Sequence, residues 1–312
     1  MTKKPVIGLT LGDPAGIGPE IVEKALQIND KTQEFTPILF GSKKCIQSMS
    51  YYSKEKSYTL DEIPRYDQKP SAENGRISIN SIQKAVESAQ KGEIDALVTA
   101  PINKTSLSLS GSNYTGHTTL LRDLAKSPAT SMAFHTHTLK TILATIHIPF
   151  TKVVDHLTTK NLETVIKNSY HYATLLGIKQ PKIALAGLNP HAGENNLFGS
   201  EETNILIPAI EKFSDPENPI LGPFPADTLY HRAHEGEFDI VISLYHDQGL
   251  IPIKLIDFKT AVNVTLGLPF IRTSPCHGTA FDIAGQNKAS ADSMISAINL
   301  AIKLAKNKVN SH

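Results

Sequence analysis

Along most of the chain, short runs of β-branched and aliphatic residues alternate with longer segments whose apolar positions recur every three or four residues. The runs VIGLTL, PILFG, DALVTAP, KTILATIH, PKIALAG, FDIVISLYH and AVNVTLG predict strands. PEIVEKALQI, SIQKAVESAQKG, LETVIKNSYHYATLLG and ADSMISAINLAIKLAKNK predict helices. Alternation of this kind builds βα units around mostly parallel sheets, so the fold class is α/β. The last helical segment is the clearest amphipath. Met294, Ile295, Ile298, Leu300, Ala301, Ile302 and Leu304 crowd one broad face, and Lys303, Lys306 and Lys308 lie toward the end that favours cations. Residues 51–75 predict one long irregular connection, and SDPENPILGPFPAD a second. So many βα units exceed one sheet. We expect two α/β/α domains, the first formed by 1–125 and 255–312 and the second by 126–254, with the chain returning late to where it began.

Polar residues gather where these strands stop. VIGLTL runs into GDPAGIGPE, TILATIH into IPF, IALAGLN into PHAGE, and VISLYH into DQG. The crevice beyond the carboxyl ends of strands is where open α/β sheets bind ligands, so one pocket could collect His147, His191, His246 and Asp247. Three neutral imidazoles can hold a divalent metal and leave coordination positions open. The alternative is three loop histidines bonded to backbone. Around His191, Pro190 and Gly193 force a turn that fixes the ring's place.

The loop GDPAGIGPE passes from strand to helix through three glycines, yet their order is not the dinucleotide fingerprint and no Walker lysine follows. A tight packing turn explains it equally well. For a small anion the chain offers Lys104, the Gly116-His117-Thr118 turn, Lys254, Asn263 and Arg272. His117 and Thr118 open the helical pattern HTTLLRDLAK, where backbone N–H groups and a hydroxyl suit a phosphate. Thr118 as a simple N-cap, and Lys254 and Arg272 as surface charges, are the competing readings.

Composition narrows the partners. Of 312 residues 40% are hydrophobic, and 31 basic against 30 acidic side chains leave a net charge of +1, no field for nucleic acid or an anionic membrane. Two cysteines, Cys45 and Cys276, offer neither a disulfide framework nor a cysteine zinc site and suit a reducing, cytoplasmic setting. The opening MTKKPVIGLTLGD is broken by Gly8 and Gly12, so no secretory leader is expected, and no segment reaches the ~18 apolar residues of a membrane span.

Taken in order from residue 6 to the C-terminal helix, GDPAGIGPE, TAPINK, TGHTTLL, GLNPHAGE, GPFPADTLY, YHDQGLIPIK and VNVTLGLPFIRTSPCHGTAFDIAG resemble the 4-hydroxythreonine-4-phosphate dehydrogenases of vitamin B6 biosynthesis. That resemblance implies the isocitrate and isopropylmalate dehydrogenase fold, with the active site in the interdomain cleft. It implies NAD, with NADP as the alternative, on the loop HGTAFDIAG through Gly278, Thr279, Ala280 and Asp282. His147, His191 and His246 match the ligands of one divalent metal per site, zinc, magnesium or cobalt. His117, Thr118, Lys254, Asn263 and Arg272 match the residues that hold the small phosphorylated substrate. A homodimer with its active site at the subunit interface is also implied. Cys276 departs from the pattern, standing where an acidic or small residue is expected.

The implied reaction oxidises the secondary alcohol of 4-phosphooxy-L-threonine and releases carbon dioxide to leave 3-amino-2-oxopropyl phosphate. Asp247 or Asp227 is the candidate base. Either could instead orient a ligand histidine, and Asp227 could cap a helix beginning at Thr228. Three rivals stand beside this reading: a relative acting on D-threonate or D-erythronate 4-phosphate, a metal-dependent hydrolase, and a non-catalytic binding protein.

Overall fold

Eleven strands carry the fold among the residues that the computed structural model describes, 4–29, 34–50, 57–60 and 68–310. They are β1 (Val6–Thr10), β2 (Thr36–Ser42), β3 (Ser57–Leu60), β4 (Ala96–Thr99), β5 (Ser131–His135), β6 (Lys140–Leu143), β7 (Ile183–Ala186), β8 (Leu221–Phe224), β9 (Ile240–Ser243), β10 (Val262–Leu266) and β11 (Ile271–Pro275). The chain divides into two units, Met1–Pro128 with Leu268–His312, and Ala129–Gly267.

In the first unit the strand order is β3-β2-β1-β4-β11, every pair parallel. Its core joins Phe40 and Leu97 to Ile82 and Val86 of the helix Ala72–Gln90 and to Leu120 and Leu121. That helix starts where Ser71 Oγ accepts the Asn74 N–H at 3.1 Å, a cap worth about 1 kcal/mol. The helix α1 (Gly18–Asn29) buries Ile21, Val22, Ala25 and Leu26. The C-terminal helix Asp292–Asn310 buries Met294, Ile298, Leu300, Ala301, Ile302 and Leu304, the expected face, while Ile295 is half-buried. The connection expected over 51–75 is interrupted. Ser57–Leu60 pairs parallel with β2, and a helix begins at Ala72. Of that expectation, 68–71 are irregular, and 51–56 and 61–67 lie outside the described residues.

In the second unit the order is β10-β5-β6-β9-β7-β8. β6, β9, β7 and β8 are parallel, and β5 pairs antiparallel with both β6 and β10. This pairing corrects the expected domain boundary. The chain returns to the first unit at Leu268, not at 255, because Val264 is in register with Ala133 and holds β10 in the second unit. The departure falls at Ala129 in place of 126. Gly267 makes the exit possible: its φ is +81° and a Cβ there would lie 2.2 Å from Ala129 O. Among the described residues no helix is long and apolar enough to cross a membrane.

Candidate active site

β6, β9 and β7 are adjacent and parallel, so the loops after them leave the same edge of the second unit's sheet. His147 follows β6 by four residues, and His246 opens the helix His246–Ile256 after β9. Their rings meet with centroids 5.6 Å apart. Asp247 Oδ1 lies 2.7 Å from His246 Nδ1. A carboxylate there favours the proton on Nδ1 and leaves the Nε2 lone pair for a cation. With Ile148, Phe150 and Tyr245 the two histidines and Asp247 line a recess of about 280 Å³. The carboxamide of the same YHDQG stretch is buried for another reason. Gln248 Oε1 accepts the Leu244 N–H at 2.6 Å and Nε2 donates to Gly187 O at 2.7 Å, tying the end of β9 to the end of β7. Sequence reasoning left Gln248 unassigned; its place one turn into a helix after a buried strand was the available signal.

His191 does not join this pair within the chain. Among the described residues no three His, Cys, Asp or Glu side chains form a group that could hold a metal ion. His191 is exposed and its ring faces Phe198 at 6.0 Å. The cause is the loop's own conformation. Residues 191–196 all have positive φ, five of them without the freedom of glycine. Glu202, buried and missed by sequence reasoning, braces the turn by accepting the N–H groups of Leu188 and Asn189, each at 2.8 Å. Within this chain His147 and His246 thus form a pair, and His191 stands apart on its braced turn.

In the first unit β1, β4 and β11 are likewise adjacent and parallel. Arg272, on β11, is buried and donates to Thr99 Oγ1 at 3.2 and 2.6 Å. It is not a surface charge. Burial pushes its guanidinium down to about 10, which leaves it charged at neutral pH. His117 opens the helix His117–Leu124 behind Gly116, and the Lys104 side chain reaches within 3.9 Å of a Gly116 Cβ position. No side chain caps this helix, so Thr118 is not its N-cap. His117 Nε2 is buried without a hydrogen-bond partner among the described residues, and the Arg272 charge lies near the ring.

Burial, and then the nearby Arg272 charge, hold the His117 ring well below its ordinary value of 6.5. Above that pH both folded and unfolded chains keep the ring neutral. As pH falls through it the unfolded chain takes up a proton that the folded ring refuses, so this group lowers stability until the depressed folded value is reached. We expect urea unfolding at about pH 5.5 and about pH 7.5 to show a smaller acid loss in His117→Gln than in the parent. Equal losses would show that His117 does not carry the effect.

The remaining candidates are dispersed. Lys254 lies eight residues after His246 with Nζ 4.7 Å from the Phe258 ring centre, and Asn263 lies on β10, all in the second unit. Asp227 is exposed in the first turn of the helix Ala226–His234, which packs beside the Pro190–Gly193 turn. That helix begins at Ala226 without a side-chain cap, so Asp227 does not cap one beginning at Thr228. Gly278 and Asp282 are exposed, Ala280 half-buried and Thr279 buried, in the loop after β11. The glycine loop serves packing: a Cβ on Gly16 would lie 2.9 Å from Thr279 O.

Residues 18–301 match the family described as "Pyridoxal phosphate biosynthetic protein PdxA". A D-threonate 4-phosphate dehydrogenase of Salmonella typhimurium is 41% identical, over 96% of this chain and 98% of its own. A 4-hydroxythreonine-4-phosphate dehydrogenase of Desulforapulum autotrophicum is 40% identical, over 96% and 95%. The crystal structure of 4-hydroxythreonine-4-phosphate dehydrogenase from Klebsiella pneumoniae superposes with a TM-score of 0.85 at 37% identity, covering 97% of this chain and 98% of its own. Isocitrate dehydrogenase from Methylococcus capsulatus, 18% identical with a TM-score of 0.52 over 97% and 88%, shares the fold.

Proposed function

Since the chain belongs to the family of the pyridoxal phosphate biosynthetic protein PdxA, we propose that it oxidises a 4-phosphorylated four-carbon hydroxy acid, in first place 4-phosphooxy-L-threonine, and releases carbon dioxide and 3-amino-2-oxopropyl phosphate. It is a dehydrogenase. The observation that carries the substrate class is its near full-length likeness to two dehydrogenases of such substrates.

The placement of residues supports the following roles. His117, Thr118 and Arg272, with Lys104, hold the phosphate; Lys254 and Asn263 are assigned to the substrate by the resemblance alone. His147 and His246 fit two positions around one divalent cation, zinc, magnesium or cobalt. When bound, the cation supplies Lewis-acid stabilisation of charge on oxygen and the nicotinamide of NAD, or alternatively NADP, supplies the hydride acceptor. Asp247 keeps His246 in its tautomer, which leaves Asp227 to take the alcohol proton. Gly278, Thr279, Ala280 and Asp282 belong to the cofactor loop.

The third imidazole comes from a second copy. Phe150, Leu197, Ile251, Leu255 and Phe258 are large apolar side chains exposed on the second unit. Such exposure supports a homodimer with its site at the subunit interface. There His191 of the partner subunit completes the pair. The two cysteines, neither of them in a disulfide, support a cytoplasmic enzyme.

A second reading, D-threonate 4-phosphate as substrate, is favoured by the name of the Salmonella relative. NADH formation with 4-phosphooxy-L-threonine, D-threonate 4-phosphate and D-erythronate 4-phosphate, each with added metal, separates the two. We expect the first to turn over at least about a hundredfold faster than the others, because a site built for an amine leaves buried polar groups unpaired with a hydroxyl. The reverse preference would establish the second reading. Phosphate release without NADH would replace both by hydrolysis.

A further inference from the structure

The segment after β11, residues 276–290, is mostly exposed or half-buried, but Thr279, Ala284 and Ala289 are buried. Each of the three is fastened by a group outside the segment. Ile17 N–H donates to Thr279 O at 2.9 Å, and Gln68 Nε2 to Ala284 O at 2.6 Å. At the far end Lys24 Nζ donates to Ala289 O at 2.7 Å, to Asn287 O at 3.0 Å and to Glu20 Oε1 at 2.9 Å. An ammonium has three protons, and these acceptors match all of them. Glu20 Oε1 also accepts the Ala289 N–H at 3.0 Å. Burial raises the Glu20 carboxyl, but the bonds from Lys24 and Ala289 outweigh it and hold it below its ordinary value. Within the segment Ala280 and Asn287 have φ of 39° and 58°. Non-glycine residues keep such angles where their surroundings hold them.

α1 therefore fastens both ends of this loop, Ile17 just before it at one end and its Glu20–Lys24 pair at the other. We propose that Glu20 and Lys24 are positioning residues, a latch that holds residues 277–291 in the shape that receives the dinucleotide. This rests on the assignment of Gly278 to Asp282 to the cofactor. Neither side chain is placed at the reacting atoms, so the latch governs affinity for the cofactor and leaves the chemical step alone.

The test uses the full-length protein, with Lys24→Met, Lys24→Arg and Glu20→Gln, amide exchange of the 277–291 peptide, and NADH binding followed by its own fluorescence. In Lys24→Met the peptide should exchange faster and the Kd for NADH rise about tenfold or more, the effect of losing one charged hydrogen bond. At saturating NAD, kcat and the KM for the phosphorylated substrate should stay within about twofold. Lys24→Arg, which keeps the charge, should recover part of the affinity. Unchanged exchange would remove the latch. Faster exchange with unchanged NADH affinity would keep the contact but take the loop away from the cofactor, overturning the proposal at the reading it rests on. Should Lys24→Met not fold, Glu20→Gln gives the same comparison. An equal fall in kcat and in affinity for both substrates would mark a general structural role and overturn it also.

Discussion

Alanine in place of His246 is expected to lower turnover by about a thousandfold or more, with the far-UV spectrum and unfolding midpoint near those of the parent. The scale follows from the Lewis-acid contribution, several kcal/mol, at a factor of ten for each ~1.4 kcal/mol. The fold should survive because the ring is only half-buried and packs against His147 at a strand-end recess, outside the core built by Ile240, Val241 and Ile242. Metal content of the purified protein, measured beside turnover, should fall with it. Asp247→Asn keeps the shape but weakens the hold on His246 Nδ1, and a loss of about 10- to 100-fold in metal affinity is expected. Full turnover by His246→Ala would remove the histidine pair from the chemistry.

Why the meeting of His147 and His246 was legible in the sequence and the place of His191 was not is a matter of range. His147 and His246 each follow an apolar run within a few residues, and adjacent parallel strands bring such positions to one edge. That relation is local plus one rule of topology. The place of His191 depends on a left-handed run through residue 196 and on a carboxylate at Glu202, neither of which a turn signal such as NPHAGE specifies. The same limit hid β11. IRTSP is buried throughout, yet its Arg272, Thr273 and Ser274 do not read as a core strand. There the polar residues are inside because one of them, Arg272, reaches Thr99. The glycine loop was conspicuous but its use was not, since what Gly16 accommodates, Thr279, lies more than half the chain away.

A mixture of His191→Ala and His246→Ala subunits is expected to regain activity that neither variant has alone. If the pair His147–His246 of one subunit is completed by His191 of the partner subunit, each homodimer of a variant lacks a ligand in both of its sites. A hybrid dimer concentrates both defects in one site and leaves the other whole. Random assortment of equal amounts makes half of the dimers hybrid, each with one good site of two, so about a quarter of the parent activity should return after co-refolding. Hybrids isolated through two different tags should reach about half of the parent activity per dimer. The arithmetic is specific to contribution across the interface. Were all three ligands supplied by one chain, every subunit in the mixture would still lack one, and no pairing could restore a site. Silence of the mixture, with hybrids shown to form, would return His191 to its own subunit and require the 191–196 loop to rearrange there, against the bracing that Glu202 provides.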